Sequence, residues 1–251
     1  MDIVALIPAY QEATRVGPVI EGARAQLPVV VVDDGSTDDT AAVAEAAGAT
    51  VLRQVPNQGK GAALRMGFRH ALDAGCEAVV TLDADGQHDP TEIPAFLAAW
   101  AATRAPLIVG ARTFGEMPLT RRIANELGTR TFSWAVGRHV ADNQSGYRLI
   151  AAPLMRRLLD SRETGFEFEV EMITTAIRAG MAIEWVPIRT IYAGEGSHVR
   201  PVHHVRNFLR VSREARRTVR TPLPPLPPEP QAPQPASGRP QAPDDPEMID
   251  R

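Results

Sequence analysis

Short apolar runs that end in polar clusters recur through the first half of the chain, with helical patterns between them. Strands of this kind are predicted over Asp2–Pro8, Pro28–Asp33, Ala49–Val55, the run Val79, Val80 and Leu82, and Pro106–Ala111. Intervening helices are predicted over Val16–Gln26, from Ser36 or Thr37 as cap to Ala47, over Ala62–Ala74 and from Pro90 to about Ala102. Strands that alternate with helices indicate an α/β fold with a mostly parallel sheet, Rossmann-like in this half.

The second half continues the alternation less regularly. An arginine-studded amphipathic pattern predicts a helix over Pro118–Gly137. Further strands are predicted at Ser145–Ile150 and Ala182–Ile188, and helices near Pro153–Leu159 and Phe168–Ala179. We therefore expect one catalytic domain over residues 1–200.

Residues 201–251 differ in composition from this domain. Residues 201–220 predict a basic amphipathic helix, which either lies on an anionic membrane surface or docks on the domain with its arginines in solvent. Its apolar stripe consists of Val202, Val205, Phe208 and Leu209. Residues 221–251 are rich in proline and predict an extended, disordered tail.

Composition narrows the class of protein. A hydrophobic content of 44% is ample for a core, and a net charge of −3 does not suggest nucleic-acid binding. The single cysteine, Cys76, excludes an intramolecular disulfide and fits a reducing compartment. No apolar run is long enough to span a bilayer, and the first residues lack the pattern of a signal peptide. These features predict a soluble cytoplasmic protein, with peripheral contact to the inner face of the membrane as an open alternative.

Two aspartates one residue apart follow the fourth strand. Asp83 and Asp85 fall on the same side of an extended chain, at the carboxyl end where open α/β sheets bind ligands. Paired oxygen ligands at such a place suit Mg²⁺ or Mn²⁺ shared with a substrate phosphate. The sequence therefore predicts a metal–diphosphate site here.

Three other strand-end loops are expected at the same edge of the sheet: Pro8–Glu12, Asp33–Ser36 and Asn57–Gly61. Lys60, the only lysine, stands near a helix start and suits a phosphate. The loop is not a P-loop, because Gln54 and Gly61 stand where glycine and a hydroxyl residue are required. A dinucleotide fingerprint and an EF-hand are excluded in the same way. What remains is a nucleotide pocket with a divalent cation.

Five ordered motifs carry a resemblance to a known family. They are Pro8-x-Tyr10-x-Glu12, Val32-Asp33-Asp34-Gly35-Ser36, Asn57-x-Gly59-Lys60-Gly61, Asp83-Ala84-Asp85-Gly86-Gln87 and Asp142-x-Gln144-Ser145-Gly146-Tyr147-Arg148. Together they resemble the inverting family 2 glycosyltransferases of GT-A fold, and within these the dolichyl- or polyprenyl-phosphate sugar transferases. The resemblance covers about residues 2–200.

The resemblance implies roles for individual residues. It assigns the nucleoside to Pro8, Tyr10, Glu12, Val32 and Asp34. It places Asp83 and Ala84 against the ribose and diphosphate, and the metal on Asp85 and Gln87 with Asp83 close by. Arg112 would face the donor or acceptor phosphate. Arg189 and His198 resemble a basic pair late in the domain.

The implied reaction is inverting displacement at the anomeric carbon of a GDP- or UDP-sugar. A lipid-phosphate acceptor is already an anion and needs no general base, and Arg112, Arg121 and Arg122 would orient it. A hydroxyl acceptor requires a base, for which Asp142 is the candidate. Asp142 is equally expected to order the turn at Gln144–Gly146.

Polyprenyl phosphate is the expected acceptor, reached through peripheral membrane contact or a membrane partner protein. The first alternative is transfer to a soluble or cell-envelope glycan hydroxyl. A nucleotidyltransferase is disfavoured because it begins with a glycine-rich loop, which Pro8–Glu12 is not. A non-catalytic nucleotide-sugar-binding module is the alternative of another class.

Overall fold

The computed structural model describes residues 3–112, 119–165, 167–189, 191, 210 and 212–225. The strands are β1 (Ile3–Ala9), β2 (Val29–Asp33), β3 (Thr50–Arg53), β4 (Ala78–Thr81), β5 (Leu107–Arg112), β6 (Arg148–Ala151) and β7 (Ile183–Ile188). The helices are α1 (Val16–Arg24), α2 (Thr40–Ala46), α3 (Lys60–Asp73), α4 (Ile93–Thr103), α5 (Leu119–Val136), α6 (Ala152–Leu158) and α7 (Glu167–Arg178). A short 3₁₀ helix, Pro90–Glu92, precedes α4.

The seven strands form one sheet in the order β3-β2-β1-β4-β6-β5-β7. All neighbours are parallel except β6, which runs antiparallel to both β4 and β5. The predicted mostly parallel sheet is confirmed. The carboxyl ends of β1, β2, β4 and β5 therefore lie along one edge.

Two apolar layers cover the sheet. Alternate residues of β1 face opposite sides: Leu6 packs with α3, α6 and α7, and Ile7 packs with α1 and α4. Because both faces are covered, the central strands read as continuous apolar runs. Helix packing on both faces thus fixes the strands whose ends carry the polar loops.

The prediction that Ser36 or Thr37 caps the second helix is wrong. Helix α2 begins at Thr40, and the side chain of its N-cap residue, Asp39, makes no capping hydrogen bond. The two hydroxyls bind Gln11 instead. Ser36 Oγ accepts a hydrogen bond from the backbone N–H of Gln11, and Thr37 Oγ1 accepts one from Gln11 Nε2. They join the loops after β1 and β2 instead of starting a helix.

The segment 212–225 folds back on the domain. Residues 212–218 are helical, with Ser212 and Ala215 buried. The backbone N–H of Leu223 donates to the carbonyl of Arg178, the last residue of α7. Residues 201–209, the apolar stripe of the predicted basic helix, and residues 226–251, most of the predicted tail, lie outside the described part. None of the described helices is long and apolar enough to cross a bilayer.

Candidate active site

Loops from neighbouring strands are tied to one another at the carboxyl edge of the sheet. The backbone N–H of Asp34 donates to the carbonyl of Ala9 at 2.9 Å, and that of Glu12 donates to Thr40 Oγ1 at 2.8 Å. The four loops that the sequence predicts to meet do meet.

Asp34 links the loop after β2 to the start of α3. Its buried carboxylate accepts hydrogen bonds from Gln54 Nε2 at 2.5 Å and from the backbone N–H groups of Gln58 and Gly59 at 2.8 and 2.7 Å. These contacts fix the residue immediately before Lys60. Asp34, which the resemblance assigns to the nucleoside, therefore also orders the Asn57–Gly61 loop that carries Lys60.

Lys60 lies between two carboxylates. Its Nζ is 2.5 Å from Asp83 Oδ1 and 2.8 Å from Glu169 Oε1. Burial alone would lower the pKa of Lys60, but the two carboxylates more than offset this and raise it above its usual value. Burial would likewise raise the pKa of Asp83, yet Lys60, with a smaller contribution from Arg148, lowers it to about 2. Both groups are charged at neutral pH.

Gly146 permits this close approach. A Cβ atom at this position would lie 2.9 Å from both carboxylate oxygens of Asp83 and 2.9 Å from Lys60 Nζ. The Gly146 carbonyl accepts a hydrogen bond from Thr81 Oγ1 at 2.7 Å, which holds the loop before β6 against β4. A larger residue at this position would therefore displace the Asp83 carboxylate or the Lys60 ammonium.

Asp85 and Gln87 lie at the rim of the same loop. Asp85 is half-buried and its Oδ1 accepts a hydrogen bond from the backbone N–H of Gln87 at 2.9 Å, whereas the Gln87 side chain is exposed. No group of three histidine, cysteine, aspartate or glutamate side chains that could hold a metal occurs among the described residues. Mg²⁺ in phosphate-transfer sites commonly uses one or two carboxylates together with substrate oxygens and water. The donors of Asp83, Asp85 and Gln87 fit that coordination.

Arg112 and Asp142 form a bidentate ion pair. Arg112 Nε lies 2.7 Å from Asp142 Oδ2, and Nη2 lies 3.1 Å from Oδ1. Asp142 Oδ1 also accepts the backbone N–H groups of Gln144 and Ser145 at 2.9 and 3.2 Å. Asp142 is 1% exposed. Burial would raise the pKa of its carboxyl, but the bonds from Arg112 and the turn lower it.

A fully buried arginine supports the same turn. Arg148 donates from Nε to the carbonyl of Ser145 at 2.7 Å, from Nη1 to that of Glu169 at 2.6 Å, and from Nη2 to that of Asn143 at 3.4 Å. Burial lowers its pKa to about 10, against the opposing effect of nearby carboxylates, so it remains charged at neutral pH. Arg148 therefore links the Asn143–Ser145 turn, which follows Asp142, to the start of α7.

A stack of rings supports the aspartate loop from behind. The ring centroids of His88 and Tyr147 are 5.1 Å apart, and those of Tyr147 and Phe96 are 4.5 Å apart. His88 Nδ1 accepts the backbone N–H of Asp83 at 3.1 Å, and the Tyr147 hydroxyl donates to the carbonyl of Asp89 at 3.0 Å. Burial lowers the pKa of His88, which favours the neutral imidazole that can accept at Nδ1. The stack fixes both ends of the loop.

The other predicted site residues differ in accessibility. Pro8, Val32 and Ala84 are buried, so any ligand contact they make is through the backbone or a small surface. Tyr10 is 49% exposed beside them. The Glu12 carboxylate accepts Arg15 Nε at 2.6 Å.

The late basic pair is only partly described. Arg189 is exposed, and its backbone N–H donates to Glu92 Oε1 at 2.9 Å. Two residues further on, the N–H of Ile191 donates to the carbonyl of Gln87, so the chain after β7 runs beside the loop after β4. His198 lies outside the described residues, as do the side chains of Arg121 and Arg122.

Three residues of this site received no role from the sequence. Glu169 stands in the first turn of α7, where an acidic residue is expected for the helix dipole alone. His88 follows the aspartates at a spacing that indicates no particular role, and Arg148 ends the fifth motif, which assigns it no function. Only the three-dimensional contacts distinguish them.

Comparison with known proteins agrees with this geometry. The model of the family described as glycosyl transferase family 2 matches residues 4–157. The chain belongs to this family. It is a glycosyltransferase, and the sheet with its flanking helices is that of the GT-A enzymes.

Family 2 relatives with named activities cover most of the chain. It is 32% identical over 203 residues to an undecaprenyl-phosphate mannosyltransferase of Micrococcus luteus, which covers 75% of this chain and 83% of the relative. It is 28% identical over 216 residues to a UDP-N-acetylglucosamine–dolichyl-phosphate N-acetylglucosaminyltransferase of Methanococcus voltae, covering 76% and 86%.

A solved structure shares the fold and contains a metal. Glucosyl-3-phosphoglycerate synthase of Mycobacterium tuberculosis, in complex with Mn²⁺ and UDP-glucose, superposes with a TM-score of 0.60 at 26% identity. The match covers 83% of this chain and 75% of that one. Together these similarities identify the chain as a family 2 glycosyltransferase, and the names of two of its relatives specify a polyprenyl-type phosphate as their acceptor.

Proposed function

We propose that this glycosyltransferase moves a sugar from a nucleotide-sugar donor to a polyprenyl phosphate, with Mg²⁺ or Mn²⁺ in the site. The acceptor class is supported by the two relatives whose names specify undecaprenyl and dolichyl phosphate. A UDP-sugar donor is supported by the name of one relative, which specifies UDP-N-acetylglucosamine, and by the solved structure, which is a complex with UDP-glucose. Membership of the family favours an enzyme over a non-catalytic binding module.

The observation that carries the proposed acceptor is the state of Asp142. Its two oxygens are engaged by the Arg112 guanidinium and by two backbone N–H groups, and its pKa is lowered. A carboxylate held in this way is a poor proton acceptor, because taking a proton would break an ion pair in a buried site. A phosphate acceptor needs no such base. These contacts therefore favour a phosphate over a hydroxyl.

In the proposed reaction, an oxygen of the acceptor phosphate forms a bond to the anomeric carbon while the bond from that carbon to the donor β-phosphate oxygen breaks. The configuration inverts and the nucleoside diphosphate leaves with the electron pair. Pro8, Tyr10, Glu12, Val32 and Asp34 would hold the nucleoside.

Negative charge grows on the leaving diphosphate during this displacement. Asp85 and Gln87, with Asp83 close by, would hold the divalent cation that neutralises it, and Asp83 and Ala84 would lie against the ribose and diphosphate. Lys60 adds a fixed positive charge at the same place. Arg112 would orient the acceptor phosphate and reduce its repulsion from the donor, helped by Arg121 and Arg122, and the late pair Arg189 and His198 would add to the phosphate contacts.

Replacing Asp142 by asparagine tests the proposed acceptor. We expect transfer to short-chain polyprenyl phosphate to stay within roughly tenfold of wild type, since the loss of a general base costs about 10²–10⁴-fold. Rates are measured with UDP- and GDP-sugars preselected by thermal shift with Mn²⁺, since a ligand of the folded state raises its apparent stability.

The acceptor panel includes 3-phosphoglycerate and a soluble glycan as alternatives, and the melting temperature of each variant is the control. A loss above about 10²-fold in kcat, in a folded variant whose KM for the acceptor is unchanged, would point to Asp142 as the base, whereas a rise in KM would reflect the release of Arg112. Transfer to the glycan alone would establish the hydroxyl alternative.

We also propose that the enzyme reaches its acceptor by peripheral contact with an anionic bilayer. Arg213, Arg216, Arg217 and Arg220 follow helical spacing and are all exposed, whereas the opposite side of this segment is buried on the domain. The Arg216 guanidinium lies 3.7 Å from the ring centroid of Trp134, which is 66% exposed. Cationic side chains next to an exposed tryptophan suit the headgroup region of an anionic membrane.

Charge reversal tests the membrane contact. We expect Arg213→Glu/Arg217→Glu to reduce sedimentation with phosphatidylglycerol vesicles at least about tenfold, because each arginine near such a surface contributes about 1 kcal/mol. Arg53→Glu/Arg104→Glu makes the same charge change at exposed arginines on other elements and should bind as wild type does. Equal loss in both pairs, or equal binding to phosphatidylcholine, would contradict a specific face.

A further inference from the structure

Glu169 is a buried carboxylate close to the loop that carries Asp83 and Asp85, and one of its oxygens accepts no hydrogen bond within the described residues. It is 2% exposed, and its Oε1 lies 2.8 Å from Lys60 Nζ. Its Oε2 is buried and makes no hydrogen bond within the described part of the chain. A buried carboxylate oxygen without a donor is costly, which indicates a charge retained for the site.

The backbone holds Glu169 and Lys60 in place from both sides. The N–H of Gly61 donates to the carbonyl of Thr164 at 2.8 Å, so the start of α3 is joined to the loop before α7. The carbonyl of Glu169 itself accepts Arg148 Nη1. Neither side chain depends on a flexible surface contact for its position.

One ammonium therefore serves two carboxylates. Lys60 contacts Asp83 at 2.5 Å and Glu169 at 2.8 Å, and all three groups are at least partly buried. Where a cation is shared in this way, each carboxylate keeps part of its negative potential. If Glu169 were neutral, Lys60 would neutralise Asp83 alone.

We infer that Glu169 is a positioning residue that shares Lys60 with Asp83 and so preserves the negative potential that a divalent cation needs at the Asp83–Asp85 loop. The inference rests on the proposed metal-dependent function and adds a residue to it. Glu169 acts through Lys60 and Asp83, without contact to the cation.

The inference gives opposite signs for two substitutions. Glu169→Gln removes one negative charge without changing shape, and it should weaken Mn²⁺ binding about 10- to 100-fold, as changes behind metal ligands do. Lys60→Gln removes the positive charge from between the carboxylates and should tighten Mn²⁺ binding about tenfold. The titration contains no nucleotide sugar, so the phosphate contact that Lys60 is proposed to make does not affect it. Free Mn²⁺ is measured by electron paramagnetic resonance in a titration of the full chain with the metal alone.

Glu171→Gln is the matched control. Glu171 lies on the same helix and makes a short hydrogen bond with Ser161, away from Lys60. We expect it to bind Mn²⁺ as wild type does. Melting temperatures of all variants show whether each is folded.

Three outcomes overturn the inference. Glu169→Gln could bind Mn²⁺ as tightly as Glu171→Gln does, or Glu169→Gln and Lys60→Gln could both bind it more weakly than wild type. The third outcome is that wild type shows no saturable Mn²⁺ binding. Sugar transfer by wild type is measured in parallel with the acceptor panel. Wild type that binds Mn²⁺ with the predicted variant pattern but transfers to no polyprenyl phosphate would contradict the proposed acceptor and leave the role of Glu169 intact.

Discussion

Replacement of Asp85 by alanine is expected to reduce kcat for sugar transfer by at least about 100- to 1,000-fold, the cost of losing one group that stabilises transition-state charge. Asp85 lies at the rim of the loop after β4, with one oxygen on the Gln87 N–H and the carboxylate half-buried. In the proposed reaction Asp85 would help to hold a cation that offsets the negative charge of the leaving diphosphate, which is greater in the transition state than in the bound donor. The effect should therefore appear in kcat more than in the KM for the donor.

A matched variant separates loss of the metal from damage to the loop. Asp89→Asn removes an acidic charge from the same loop, but asparagine can still accept the hydrogen bond from the Thr91 N–H that Asp89 accepts. Its activity should stay within a fewfold of wild type. Full activity of Asp85→Ala would refute the metal–diphosphate site.

The second large effect is on stability. Arg148→Leu is expected to lower the free energy of unfolding by about 3–5 kcal/mol, the usual cost of breaking a buried charge arrangement. The leucine leaves three buried carbonyls, those of Asn143, Ser145 and Glu169, without their donor. It also removes a positive charge close to Glu169, Asp142 and Asp83. Urea denaturation measures the change as a lower midpoint with an unchanged slope.

Arg130→Leu provides the comparison for a surface arginine. Arg130 pairs with Glu126 at 2.9 Å one helical turn away and is exposed. Such a pair contributes about 0.3–0.5 kcal/mol, so this variant should unfold close to the wild-type midpoint. If Arg148→Leu unfolds at the same midpoint as Arg130→Leu, the buried guanidinium does not hold the Asn143–Ser145 turn to α7.

The sequence predicts the sheet well where strands are apolar on both faces. The runs at β1, β2 and β4 end in polar loops, and parallel pairing brings those loops together. The reversed direction of β6 leaves no comparable signal, because a short buried run such as Leu149–Ala151 is equally apolar whichever way the strand runs. Its direction depends on β4 and β5, which lie far away in sequence.

The site shows the same division between local and distant information. Asp83 and Asp85 are recognisable because they directly follow a strand. Glu169 is not, because its importance comes from Lys60, more than a hundred residues earlier in the chain. Ser36 and Thr37 fit a helix cap locally, but their hydroxyls accept hydrogen bonds from Gln11 in the neighbouring loop.

The hydrogen bonds of Asp34 have a consequence for changing which donor the enzyme uses. The Asp34 carboxylate accepts hydrogen bonds from the Gln54 amide and from the backbone just before Lys60, so the loop assigned to the nucleoside is coupled to the lysine assigned to the phosphates. Redesign of the loop after β2 for another nucleobase would therefore shift the lysine as well. Variants with altered base preference should lose turnover unless compensating changes are made at Gln54 or Gln58.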